Sequence, residues 1–185
     1  MKRILCMLTA ALLIFGGAIA EEEAAPRALV AYFSATGTTE RLALEMAEII
    51  GADAYEIVPE QPYTEADLDY YSGGRADREQ DDPDARPAIA GELPDVSAYE
   101  IVFLGYPIWH GQAPRILLSF LEAQETSGLT FAPFCTSGGS GVGSSAENLR
   151  AHCAEDCVWL DGVRFEADAP NEELAAWLEN CLAAL

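Results

Sequence analysis

The chain has 185 residues, of which half are hydrophobic, and 31 Asp and Glu stand against 10 Lys and Arg for a formal net charge of −21. The length fits one domain with material for a core. Lys2 is the only lysine, so a phosphate loop of the Walker type has no candidate for its cation. A field this negative also disfavours nucleic-acid backbones and anionic membrane surfaces.

Residues 1–20 read as an export leader. Lys2-Arg3 give a positive start, Ile4 to Gly17 an apolar run, and Ala18-Ile19-Ala20 a small-x-small cleavage pattern ahead of Glu21-Glu22-Glu23. The run is short for a bilayer span. Residues 21–27 are expected as a linker and 28–185 as one domain. An exported chain sees an oxidising compartment, so Cys135, Cys153, Cys157 and Cys181 are disulfide candidates with three connectivities open. Cys153 and Cys157, four apart near a helix end, are able to meet; no second ligand pair at zinc spacing accompanies them.

Past the leader, strand and helix patterns alternate. Ala28 to Phe33 is a continuous apolar run, as a strand buried on both faces requires. Glu40 to Ile50 places Leu42, Met46, Ile49 and Ile50 at helical spacing until Gly51. Ala54 to Val58 predicts a second strand. Residues 59–98 follow with 11 acidic and 3 basic side chains; they are expected either to cap a ligand through Tyr63, Tyr70 or Tyr71 or to cover the second strand's edge. Ile101 to Tyr106 predicts a third strand, Pro114 to Glu122 a helix, Leu129 to Cys135 a strand and Ser144 to Ala154 a helix. Val158 to Phe165 is a weaker strand and Asn171 to Leu185 a closing helix. Such alternation predicts a parallel sheet covered by helices on both faces.

Ligands of such sheets bind beyond the carboxyl ends of the strands. After the first strand comes Ser34-Ala35-Thr36-Gly37-Thr38-Thr39, opening into a helix. One hydroxyl suffices to cap a helix; four in six residues, with free N–H groups at a positive helix end, suit a phosphate held by neutral donors. After the third strand stands Pro107-Ile108-Trp109-His110-Gly111, suited to wall a flat aromatic ligand. After the fourth comes Thr136-Ser137-Gly138-Gly139-Ser140-Gly141, where glycines let backbone N–H groups approach a ligand. Two other patterns are weaker. Gly141 to Ala146 fits G-x-G-x-x-A but follows the fourth strand instead of the first. Gly138 to Val142 lacks the last glycine of a nucleophile elbow.

Together the three loops resemble those of the flavodoxin family, in the branch common in anaerobic bacteria: Ser34 to Thr39, Tyr106 to Trp109 and Thr136 to Gly141, with Pro62-Tyr63-Thr64 and Arg75 to Ile89 between. The resemblance spans about residues 28 to 184. It implies a three-layer, doubly wound, five-stranded parallel sheet in order 2-1-3-4-5 holding one FMN. It also implies that Ser34 to Thr39 bind the phosphate, Pro107 to Gly111 flank the ring with Trp109 stacking, and Thr136 to Gly141 close the other side. Where many members of the branch have a second aromatic this chain has His110, whose titration beside the flavin is expected to make the potential pH-dependent. Surrounding negative charge is expected to oppose the anionic reduced flavin and to steer the protein to redox partners with basic patches. The expected function is an extracytoplasmic electron carrier. The alternatives are an FMN-dependent NAD(P)H reductase of quinones or small molecules, which lacks an evident cation for the dinucleotide, and a cofactor-free binding module.

Overall fold

The computed structural model describes residues 26–69 and 71–185. The leader expected at 1–20 and Tyr70, one of the three tyrosines expected as a cap, lie outside the described residues. The chain forms β1 (Ala28–Tyr32), α1 (Thr38–Ile50), β2 (Asp53–Glu56), α2 (Arg75–Asp81), β3 (Ile101–Pro107), α3 (Ile116–Glu122), β4 (Thr130–Thr136), α4 (Ser145–Arg150), β5 (Val158–Trp159), β6 (Val163–Phe165) and α5 (Asn171–Leu182). All strands run parallel in the order β2-β1-β3-β4-β5, with β6 also on β4. The expected strand order is therefore observed, with one strand more.

The period of two along the central strands builds two cores. In β1 and its extension, Leu29, Ala31 and Phe33 face one side, where they join Val102, Leu104 and Tyr106 of β3 under Ile116, Leu117 and Phe120 of α3. Val30 and Tyr32 face the other, with Phe103 of β3 and Phe134 of β4 under Leu42 and Met46 of α1 and Leu174 and Leu178 of α5. Burial on both faces is why these strands read as unbroken apolar runs. Gly51 ends α1 in the left-handed conformation, φ 66°, its N–H bonded to Ala47 O, as its position predicts.

The fifth strand is broken, and Pro133 explains the break. Val158 N and Leu160 N donate to Leu129 O and Phe131 O, each at 2.9 Å, so alternate positions of β4 turn toward the fifth strand. The next such position is Pro133, which has no N–H to give. Pairing resumes one residue out of step, with Phe131 opposite Trp159 but Phe134 opposite Val163. Gly162 packs at the break, where a Cβ would stand 3.2 Å from the Pro133 ring.

Three expectations are corrected. The fourth helix is one short element, α4, because residues 151–157 turn away in hydrogen-bonded turns. Helix α2 lies inside the acidic segment, where no helix is expected from the apolar pattern. Among the described residues none of the four cysteines is disulfide-bonded; Cys135 and Cys181 belong to the cores on opposite faces of the sheet.

The sheet closes most tightly at Gly105, where a Cβ would fall 2.3 Å from Cζ of Phe134 on the adjacent strand. Gly105→Ala is expected to cost roughly 1–3 kcal/mol by overpacking, read as a lowered urea midpoint at unchanged m-value.

Candidate functional site

Three loops at the carboxyl ends of β1, β3 and β4 open into one cavity of about 460 Å³, within the range of ligand sites. Its floor is the start of α1. Gly37 is the residue before the helix, at φ 85°, and no side chain caps the helix. The Ser34 hydroxyl accepts from Gly37 N at 3.1 Å, bending the loop back so that the helix opens toward the cavity. The first N–H groups of α1 have no intrahelical partner, and the helix macrodipole makes this end positive. Ser34, Ala35, Thr36, Thr38 and Thr39 line the cavity. The hydroxyls are thus not spent on capping, which is what separates an anion cradle from an ordinary helix start.

Thr39 has a different task from its neighbours. It is 1% exposed, and its Oγ1 lies 2.8 Å from Thr136 Oγ1. That bond ties the helix start to the end of β4 and so fixes two of the three loops to each other. The cations nearby are committed: Arg41 to Glu45 at 2.6 Å and to the Ala167 carbonyl, and Arg164 to Glu166 and, at 3.2 Å, to Ser137 O.

The second loop is a tight turn. Trp109 and Gln112 exchange backbone bonds of 2.8 and 2.9 Å, and His110 and Gly111 between them have φ of 49° and 75°. A left-handed pair at the centre suits glycine well and histidine poorly. His110 is held there from outside: its Nε2 is 2.9 Å from Asp77 Oδ1 and its Nδ1 3.7 Å from Asp81 Oδ1. Trp109 stands edge to face with Phe33 at 5.4 Å and with Tyr63 at 5.3 Å. Tyr63 in turn bonds Glu79 and lies 4.0 Å under the Arg75 guanidinium. Burial and the Glu79 contact raise the Tyr63 hydroxyl above the ordinary tyrosine range, so it stays a neutral donor.

The acidic segment caps the cavity and also pairs with the stretch that follows β2. Leu68, and Ala76, Asp77 and Gln80 of α2, line the cavity. On the other side Pro59 bridges Ile89, and Ala90 N donates to Val58 O at 2.8 Å. Of the tyrosines expected as a cap, Tyr63 supports Trp109 from behind instead of lining the cavity, and Tyr71 is 94% exposed. Gln80 is the residue that sequence reasoning passed over. It is buried, and its Nε2 donates to Trp109 O at 3.1 Å and Ala113 O at 3.2 Å while its Oε1 accepts from Arg115 N at 3.0 Å. Arg115 returns a bond from Nη2 to Gln80 O at 2.9 Å. A glutamine four residues after Ala76 was the only trace of this in the sequence.

The third loop contributes half of what was expected. Thr136, Ser137 and Gly138 line the cavity, whereas Gly139, Ser140 and Gly141 are exposed outside it. The cause is local: Ser137 Oγ accepts from Gly139 N at 3.2 Å and donates to Ser140 O, so the loop curls on itself. Pro107, Ile108, Trp109 and His110 line the cavity as expected, and Gly111 acts through its backbone alone.

A family model described as Flavodoxin matches residues 27–181. The chain belongs to the flavodoxin family. Two solved flavodoxin-like structures are similar over nearly their whole length. One, from Bacteroides eggerthii and assigned as a flavoprotein, is 43% identical, covering 84% of this chain and 98% of that one at a TM-score of 0.78. Another with the same assignment, from Bacteroides uniformis, is 37% identical over 83% and 98% at the same TM-score. A flavoprotein in complex with FMN from Lactobacillus acidophilus shares the fold at 24% identity and a TM-score of 0.60, over 83% and 99%. No curated protein matches the chain.

Gln80→Ala would leave the carbonyls of Trp109 and Ala113 and the N–H of Arg115 without partners. The expected loss is roughly 2–4 kcal/mol of stability, with changed near-ultraviolet circular dichroism as the Trp109 turn loosens. Gln80→Glu, which sets a carboxylate against two carbonyls, is expected to do no better.

Proposed function

We propose that this flavodoxin-family protein binds FMN and carries electrons between protein partners. The observation that carries the reading is the side-chain-free start of α1 facing a cavity lined by hydroxyls and walled by Trp109. Its donor set suits a phosphate monoester, and the turn from Trp109 to Gln112 suits a planar ring. The FMN of the Lactobacillus acidophilus relative supports the same choice of ligand. When bound, FMN supplies one- or two-electron chemistry.

The chain's own residues then do four things. The N–H groups at the start of α1, with Ser34, Thr36 and Thr38, hold the phosphate; Thr39 and Thr136 keep the loops in place. Trp109, braced by Phe33 and Tyr63, walls the ring. The acidic segment excludes water through Leu68 and, on α2, Ala76. Asp77 and Asp81 beside His110, together with Glu40 near the cradle, oppose added negative charge in the cavity, which favours a low reduction potential.

The partners we propose are redox proteins with basic patches, since the negative surface accelerates their approach and salt slows it. We also propose that it works outside the cytoplasm, on the strength of the leader pattern in residues 1–20.

Protein reconstituted with FMN and desalted is expected to keep its flavin absorption, to bleach with dithionite, and to stay oxidised with NADH or NADPH. Rapid bleaching by either nucleotide would replace the carrier with a reductase. A colourless product that leaves FMN fluorescence unquenched at micromolar concentration would overturn both. Trp109→Ala is expected to weaken FMN binding at least tenfold, from the loss of about 1.4 kcal/mol or more of ring contact.

A further inference from the structure

Two of the four cysteines among the described residues sit together at the far end of the sheet from the candidate site. They lie in the turn from α4 to β5, which closes through His152 N to Leu149 O, Cys153 N to Arg150 O and Cys157 N to Ala154 O at 3.0, 3.1 and 3.2 Å. The Cys157 thiol and the backbone next to Cys153 both converge on Thr126, in the turn that precedes β4. Cys157 Sγ donates to Thr126 O at 2.8 Å, and Thr126 Oγ1 accepts from Ala154 N at 2.9 Å. The Cys153 thiol donates to Leu149 O at 3.9 Å, and Cys153 packs against the same core cluster that holds Cys157. Cys157 is 4% exposed, while Cys153 is only partly buried. Cys135 and Cys181 lie in the cores on either face of the sheet, away from this turn.

We propose that Cys153 and Cys157 are a redox-active thiol pair, closed to an intramolecular disulfide by exchange with an external disulfide. Cys153, the more accessible, attacks first: its sulfur bonds to one sulfur of the external disulfide, whose S–S bond breaks and whose other half leaves as a thiol with the Cys153 proton. Cys157 then attacks Cys153 Sγ. The mixed disulfide breaks, and the second external thiol leaves with the Cys157 proton. Two protein thiols are oxidised by two electrons, and one external disulfide is reduced to two thiols. A turn already held by three backbone bonds and by Thr126 keeps the two cysteines beside each other before the reaction. Burial and the neighbouring sulfur raise the Cys153 thiol to about 12. Its thiolate fraction, and with it the rate of the first step, therefore rises as the solution is made alkaline. The pair lies just before β5, beside the Thr126 turn that precedes β4, whereas the candidate cofactor loops follow β1, β3 and β4 at the other end of the sheet, so the reaction is independent of FMN.

The test is to incubate the reduced full-length protein with glutathione disulfide, alkylate the remaining thiols, and map peptides by mass spectrometry. The expected product has lost two hydrogens, links Cys153 to Cys157, leaves Cys135 and Cys181 as thiols, and forms faster at pH 9 than at pH 7. Cys157→Ser is expected to stop at a glutathione adduct on Cys153. Closing the link is expected to raise the melting midpoint of the wild type, reversibly with dithiothreitol, and not that of Cys153→Ser. A persistent glutathione adduct on wild-type Cys153, a link to any other cysteine, or an unchanged chain would overturn the proposal.

Discussion

The start of α1 constrains everything around the site. A helix presents several N–H groups at its beginning that need partners from elsewhere. Most helices supply one with the side chain just before the first turn. Here Gly37 occupies that place, and the Ser34 hydroxyl serves Gly37 instead of the helix. The remaining donors are left to whatever enters the cavity, and the macrodipole biases them toward an anion. The Thr39–Thr136 bond holds this end at the mouth of β4, so a small change in either threonine displaces the whole cradle. In the proposed reading, this is how a chain with one lysine holds a phosphate without a cation.

The second wall depends on a segment that contributes little to the core. Helix α2 has seven residues, too few to stand alone. It is fastened by Gln80 and Arg115 to the turn that carries Trp109, and by Asp77 to His110. The fastening runs both ways: α2 gains its position from the turn, and the turn keeps a histidine at positive φ because α2 grips its ring. Acidic residues otherwise excluded from a core are tolerated here because their carboxylates reach solvent, the His110 ring or arginines such as Arg75. Their cost falls on any negative charge that enters the cavity, in keeping with the low-potential carrier proposed.

The central strands were legible because burial on two faces leaves an unbroken apolar run, and α1 because its apolar residues recur at helical spacing up to Gly51. Of the first loop, Ser34, Ala35, Thr36, Thr38 and Thr39 line the cavity, and Gly37 shapes it through its backbone; hydroxyl density beyond capping was the signal that pointed to it. Helix α2 was not legible: its buried residues are Ala76 and Gln80, one small and one polar, so they leave no apolar period. The break in the fifth strand was hidden for another reason. Pro133 acts on its neighbour and not on β4 itself, and only the register shows which way its missing N–H would have pointed. In the third loop the glycines suggested approach to a ligand along their whole length, but a single serine hydroxyl turned half of them outward. The spacing of Cys153 and Cys157 already allowed them to meet, whereas only the sheet topology separates Cys135 from Cys181.

The most direct test of the account is a comparison of FMN with riboflavin, which lacks the phosphate and keeps the ring. Dissociation constants for the apoprotein, measured by quenching of flavin fluorescence, isolate what the start of α1 contributes. The account predicts that FMN binds at least a hundredfold more tightly, a difference of about 2.8 kcal/mol arising from donors that have no other partner. Equal affinities would contradict it, because the uncapped helix and its hydroxyls would then hold nothing.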